Sequence, residues 1–199
     1  ATKLTDSLIN LDIPTRRFKT GTPARVDKNT INFDAMQIQK GDDNIYPFSF
    51  MTKGYIENKD VCYLTYTTQK TKDIIMANID MSPLYNGSIH SIGPRYCPSI
   101  EDKVMRFADK ERHQIFIEPE SSLTNEMYVQ GMSSSLPFDV QLEMYKSVIG
   151  LEKVKIMRFA YAIEYDCIDS LCLTPYLMVK HIKGLFLAGQ LNGSSGYEE

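Results

Sequence analysis

What this 199-residue chain lacks removes several classes of function at once. No apolar run approaches the roughly 20 residues that span a bilayer, so a membrane-spanning role is not expected. The opening Ala1-Thr2-Lys3-Leu4-Thr5 does not read as a secretory signal. Lys and Arg number 22 against 25 Asp and Glu, a net charge of −3, so there is no global basic footprint. A nucleic-acid contact must then be a local patch or lie beyond this chain. The four cysteines, Cys62, Cys97, Cys167 and Cys172, show neither a metal-ligand spacing nor a dense disulfide framework. Reduced thiols, a cytoplasmic location and no bound metal are the expectation. Internal repeats, low-complexity tracts and long charge runs are also missing. So is the G-x-x-x-x-G-K-[ST] phosphate loop, although Lys19-Thr20-Gly21 superficially suggests one.

What remains is an ordinary globular composition, 43% hydrophobic and 24% charged, in a chain long enough to bury a core. Leu4, Leu8 and Leu11 predict an N-terminal helix that Pro14 ends. Arg16 to Arg25 reads as a basic strand and turn, open to reading as a charged surface turn or as a direct ligand contact. Residues 28–60 are polar and loop-rich. Val61–Thr68 alternates as a strand and Lys72–Ile79 as a helix; His113–Pro119 and Glu126–Gly131 predict antiparallel neighbours. Phe138–Ile149 carries Val140, Met144 and Val148 at helical spacing, ending at Gly150. Val154–Ile163 predicts a strand, with Glu164-Tyr165-Asp166 turning away. Leu185–Gly189 reads as a short apolar strand of the buried parallel kind. Strands and helices alternate without segregation, which gives an α/β or α+β class with a mixed sheet.

The stretch that organises the chain is Gly93-Pro94-Arg95-Tyr96-Cys97-Pro98-Ser99-Ile100-Glu101-Asp102-Lys103-Val104-Met105-Arg106-Phe107. Ser99 and Asp102 are spaced as a capping box, with aspartate in place of the usual Glu or Gln. Ile100, Val104, Phe107 and Ala108 then recur on one helical face. Cys97 precedes that helix start, near Arg95 and within reach of Lys103, surroundings that favour a thiolate. A buried packing cysteine beside an ordinary cap is the alternative. At the other end, Ala188-Gly189-Gln190-Leu191-Asn192-Gly193-Ser194-Ser195-Gly196-Tyr197-Glu198-Glu199 reads as strand, glycine-rich loop and incipient helix. That geometry aims backbone N–H groups beyond a strand's carboxyl end.

The run G-P-R-Y-C-P-S-I-E-D-K-V-x-R-F resembles the signature of the glucose-inhibited division protein A family. The resemblance extends to Lys19–Arg25 (K-T-G-T-P-x-R), Phe48–Met51 (F-S-F-M), Leu136–Gln141, Tyr161–Asp166 (Y-A-I-E-Y-D) and the Ala188–Glu199 run, in the same order. It implies flavoproteins that install a carboxymethylaminomethyl group at C5 of the wobble uridine of certain tRNAs. The implied fold is α/β, a two-segment FAD-binding (Rossmann-like) domain interrupted by an inserted mixed α/β domain. Residues 1–25 would close the first FAD segment, 26–155 form the NADH-associated insertion, and 156–199 return to the flavin sheet. Gly93 through Phe107 would be the nicotinamide-dinucleotide segment and Gln190 a flavin contact. In the chemistry the resemblance implies, NADH supplies electrons to FAD, methylenetetrahydrofolate the carbon, and glycine or ammonia the amine. Cys97 would be the catalytic nucleophile. Implied partners are tRNA and a tRNA-modification GTPase in a heterotetramer, with the protein itself a homodimer.

The departures matter equally. The family's G-x-G-x-x-G fingerprint, a second functional cysteine and the carboxy-terminal helical region that carries most tRNA contacts are not in these residues. The chain is therefore expected to be a piece of a longer protein, inactive alone. A flavin-dependent oxidoreductase, a folate-dependent tRNA uridine methyltransferase relative and a non-catalytic scaffold fragment are the alternatives.

Overall fold

Alternation along two neighbouring strands sets up the larger core. β5 (Gln114–Pro119) buries Ile115 and Ile117, and β6 (Glu126–Gln130) buries Met127 and Val129. Antiparallel pairing sets Ile117 opposite Val129, so all four side chains share one face. The computed structural model describes residues 3–93 and 98–193. In it these strands belong to a six-stranded sheet with β2 (Arg25–Asp27), β3 (Gln37–Gln39), β4 (Cys62–Tyr66) and β7 (Ile156–Arg158). The order is β3-β4-β5-β6-β2-β7, and every pairing is antiparallel.

Three helices complete this core: α2 (Gln69–Ala77) through Ile75, α3 (Ile100–Arg106) through Ile100 and Val104, and α4 (Phe138–Lys146) through Val140, Met144 and Tyr145. Burying each such side chain contributes about 1.5–3 kcal/mol. The start of α2 is held by a Thr68–Thr71 capping box, and Ser147, just past α4, ties in through its hydroxyl to Thr71 Oγ1 at 2.7 Å.

A second, smaller core lies under a two-stranded ribbon. β1 (Thr15–Thr22) pairs with β8 (Tyr161–Ile168) from Thr15↔Ile168 to Thr22↔Tyr161. Leu8 of α1 (Lys3–Ile9), Ile13, Ile168, Leu173 and Val179 pack beneath it. Ribbon and sheet are joined by two short crossings, Pro23-Ala24 and Phe159-Ala160. Side chains of α4 pin both. The Ala24 N–H donates to the Tyr145 hydroxyl at 2.7 Å, which itself donates to the Met132 carbonyl at 2.9 Å. Gln141 donates to the Ala160 carbonyl at 2.9 Å and accepts from the Ala160 N–H at 2.8 Å.

Tyr145 is fully buried, and burial pushes its phenol far above the ordinary value. Tyr145→Phe strands one N–H and one carbonyl, so a loss of about 1–3 kcal/mol is expected. It should be read as a lower urea midpoint and faster hydrogen exchange at the Ala24 amide. Unaltered exchange there would show that the hydroxyl does not hold the crossing.

Several sequence expectations change. Glu164-Tyr165-Asp166 does not turn away but lies inside β8, where Arg17 reaches Glu164 at 3.4 Å and Asp166 at 3.3 Å. The opposite charges that make a strand tolerable here stand almost 150 positions earlier. Leu185–Gly189 is no parallel strand. Among the described residues it makes one antiparallel bridge, Met178↔Phe186, because no described strand flanks it for parallel pairing. α3 stops at Arg106, leaving Phe107 and Ala108 exposed rather than on its apolar face, and α4 stops at Lys146, short of Ile149. The N-terminal helix buries Leu8 but not Leu4 or Leu11. Among the described residues no helix is long and apolar enough to cross a membrane.

Candidate functional site

The capping box foreseen at the start of α3 is present in both directions. The Asp102 N–H donates to Ser99 Oγ at 3.1 Å, and the Ser99 N–H donates to Asp102 Oδ2 at 3.3 Å. Asp102 Oδ1 accepts from the Tyr85 hydroxyl at 2.9 Å. Burial first, and that bond second, raise the Tyr85 phenol well above its ordinary range. Asp102 thereby fastens the 82–93 loop to the helix start.

Around this start three parts of the chain converge. Lys19, Thr20 and Gly21 of β1, Ala162 of β8, Leu84 and Gly93 of the loop, and Ser134 and Ser135 enclose a cavity of about 20 Å³ with Ser99 and Asp102. That is room for a water molecule, not for a ring. The loop is stitched to the ribbon by backbone bonds, Lys19 N–H to the Ile92 carbonyl at 3.0 Å and Ile92 N–H to the Arg17 carbonyl at 3.2 Å. At the helix start, the Ile100 N–H donates to the Ser133 carbonyl at 2.8 Å.

Glu101 is the residue the sequence did not single out by role. It is fully buried, and its Oε1 accepts from Ser134 Oγ at 3.0 Å, the Ser135 N–H at 3.1 Å and Ser82 Oγ at 3.2 Å. Among the described residues its Oε2 has no hydrogen-bond partner. Desolvation is the dominant influence and raises its pKa, against the opposing effect of these donors. An acid in a helix's first turn ordinarily reads as solvated, so only the folded serine loops reveal it.

Of the other site candidates, Ile100 and Val104 are core, Met105, Arg106 and Phe107 are exposed, Gly93 lines the small cavity, and Pro98 lines a separate groove described below. Lys103 donates to the Gly131 carbonyl at 3.1 Å. Pro94, Arg95, Tyr96 and Cys97 lie outside the described residues, as do Ser194 to Glu199 of the glycine-rich run. Gln190 sits exposed on a 3₁₀ turn, Gly189–Asn192, where Gly193 takes a left-handed φ of 82°. A Cβ on Gly193 would meet the Ile168 carbonyl at 3.2 Å, so this turn abuts the far end of β8. Ala162, beside α3, is at the near end. Six residues of strand separate the two, roughly 20 Å. The Gln190 turn and the α3 start are thus two places, not one.

Two of the described cysteines, Cys62 and Cys167, have thiols raised above the ordinary value. Burial, then Glu118 and Asp60, raise the Cys62 thiol. Burial raises that of Cys167, with Arg16 opposing and Asp166 and Asp169 reinforcing. Cys167 lies within β8, not in a turn.

On the open side of α3 lies a wider groove of about 420 Å³, lined by Pro98, Lys103, Phe107, Lys110, Arg112 and His113, with β5 and the end of β6 as floor. Nothing in the composition pointed to it, because its basic residues, spread over eleven positions from Lys103 to His113, are interleaved with acidic ones in a chain of net charge −3.

Comparison with known proteins follows the whole chain. The family model described as Glucose inhibited division protein A matches residues 1–199. The tRNA uridine 5-carboxymethylaminomethyl modification enzyme MnmG of Clostridium novyi is 61% identical over 199 residues, covering 100% of this chain and 32% of that protein. Its namesake from Caldicellulosiruptor saccharolyticus is 63% identical over 196 residues, covering 98% of this chain and 31% of the relative. A crystal structure of Aquifex aeolicus GidA, form I, superposes with a TM-score of 0.87 at 52% identity, over 98% of this chain and 33% of that one. The form II crystal gives 0.85 at 49% identity, over 98% and 31%. The chain spans about a third of the length of the curated relatives it matches.

Proposed function

The chain belongs to the glucose-inhibited division protein A family, and from that premise we propose that a protein of its relatives' length carrying this chain modifies C5 of the wobble uridine in tRNA. The observation that carries the proposal is the match itself, about 60% identity across all 199 residues to enzymes named for that uridine modification.

The residues present suit the implied groups in different degrees. At the Gln190 turn, Asn192 Oδ1 is buried with no partner among the described residues. A ligand donor there would satisfy it, which supports a polar cofactor edge and fits FAD. Gln190 is the residue that would hold it, and when bound the flavin supplies redox and one-carbon chemistry. For Gly93–Phe107 the cavity that the described residues form beside α3 is small, about 20 Å³, so NADH would meet this segment from its open side. Residues 1–25 and 156–199 would serve the flavin domain and 26–155 the insertion. The mouths of the two crossings, at Thr22–Arg25 and Arg158–Tyr161, support a division there. Methylenetetrahydrofolate, an amine donor, a GTPase partner and a homodimer complete the proposal, in a cytoplasmic setting.

Mass analysis of wobble uridine tests it. A strain deleted for the gene should lose the carboxymethylaminomethyl group and regain it with the full-length gene, whose product should show a flavin spectrum. Intact modification in the deletion strain would overturn the assignment. A methyl group lost instead would transfer the protein to the folate-dependent methyltransferase class.

A further inference from the structure

The basic groove on the open side of α3 is not accounted for by any role given so far. Lys103, Lys110, Arg112 and His113 line it together. Two of its cations ride on aromatic faces, Lys110 at 5.1 Å over the Phe107 ring and Arg112 at 4.1 Å over the Tyr66 ring. Such stacking holds a cation in place while leaving its outer side to a second partner. Lys72 adds its charge from α2, where its ammonium donates to the Ala108 carbonyl. The field these groups make is felt locally: after burial, Lys103, Lys110 and Lys72 are what depress the His113 imidazole. Asp109 and Glu111 stand on the same turn but do not line the groove.

A chain with net charge −3 that gathers cations on one open surface has made a local anion site. The groove is open to solvent; its Lys110 and Arg112 are exposed, and Lys103 and His113 are half-buried. Small cofactors are instead enclosed, with a few buried polar groups to orient them. Exposed Lys and Arg along a groove suit a phosphate backbone, whose binding comes from counterion release rather than enclosure. The groove also ends at Pro98, the residue that follows Cys97 in sequence.

We propose that the groove formed by Lys103, Lys110, Arg112 and His113 binds the sugar-phosphate backbone of the tRNA next to the uridine being modified. This rests on the tRNA reading above and adds to it a contact made by this part of the chain. Lys110 and Arg112 contact phosphates, and Phe107 and Tyr66 keep their side chains extended toward them.

The test is fluorescence-anisotropy titration of the full-length protein with an unmodified tRNA transcript bearing uridine at the wobble position, repeated across salt concentrations. Lys110→Ala combined with Arg112→Ala should flatten the slope of log affinity against log salt by about 1.5 to 2, with binding on the order of tenfold weaker at low salt. Lys110→Arg with Arg112→Lys should bind like wild type, because charge and not shape is required. Lys110→Gln with Arg112→Gln repeats the test if the alanine pair does not fold. Wild-type affinity and slope in the neutralised variants would overturn the proposal. So would a neutralised variant that loses NADH binding while its tRNA titration is unchanged, which would give the groove to a dinucleotide. Failure of the wild-type protein to bind the transcript at all would instead remove the tRNA reading itself.

Discussion

Cys97→Ser in the full-length protein is expected to reduce wobble-uridine modification to background while flavin content stays at the wild-type level. C5 of uridine is not nucleophilic by itself. A thiolate adding to C6 pushes the ring electrons to C5, C5 takes up the one-carbon electrophile, and loss of the C5 proton then expels the thiolate and restores the double bond. A serine hydroxyl is not ionised near neutral pH and adds too slowly to replace it. Flavin content should hold because the Gln190 turn lies at the far end of β8 from α3. The structure sharpens the accompanying chemistry. Burial raises both Cys62 and Cys167, so each stays a thiol at neutral pH and alkylates slowly. Iodoacetamide near pH 7 should therefore label Cys97 first, as mass mapping of tryptic peptides would show. Retained modification in Cys97→Ser would reduce the residue to packing and send the search for a nucleophile elsewhere.

The largest structural effect is expected at Glu101. Glu101→Ala removes the one acceptor shared by Ser82 Oγ, Ser134 Oγ and the Ser135 N–H, and leaves a void where the carboxyl was. Ser82 and Ser135 keep their own hydroxyl pair at 2.9 Å, which limits the damage. A loss of about 3–5 kcal/mol is the expected scale, from several stranded donors and a cavity together. Hydrogen exchange should speed up at α3 and at residues 133–135 before it does in β5. Glu101→Gln separates the roles. It keeps an acceptor for the three donors and has no proton to lose. Since burial raises the folded pKa, the native state holds the Glu101 proton more tightly than the unfolded chain does. Wild-type stability should then fall as pH climbs from the ordinary glutamate range, about 4.3, through that raised value, and level off above it. The Gln variant should lack that portion of the slope. Identical pH dependence in the two proteins would mean that Glu101 ionises as freely folded as unfolded.

What could be read beforehand depended on how local its cause is. The Ser99–Asp102 box spans four residues, and the alternation of Ile115 and Ile117 or of Met127 and Val129 spans three. Both were legible from the chain. Glu164 and Asp166 were misjudged because acidic residues suggest a turn until Arg17 is brought opposite them. Leu185–Gly189 has the composition of a buried strand, but a strand exists only with a neighbour to pair with. Glu101 and the stacking that seats Arg112 in the basic groove were illegible for one reason. Each is assembled from positions far apart in sequence: Glu101 with Ser82 and Ser134, Arg112 with Tyr66. The role proposed for Cys97 rests on its place in the sequence just before α3 and on the resemblance, since no single cysteine announces its chemistry.

The two pinned crossings limit how this molecule can move. A unit tethered by two neighbouring strands would ordinarily swing like a door. Here both hinge pins, Ala24 and Ala160, are bolted to the same helix by Tyr145 and Gln141, on two adjacent turns. These bonds oppose any swing of the ribbon against the sheet. If substrates require the small space beside α3 to widen, the part that gives is the strap of residues 82–93, which is held to the frame by the backbone bonds of Ile92 to Lys19 and Arg17, by Tyr85 and by Ser82. Access would then be set by unfastening a strap, not by opening a door.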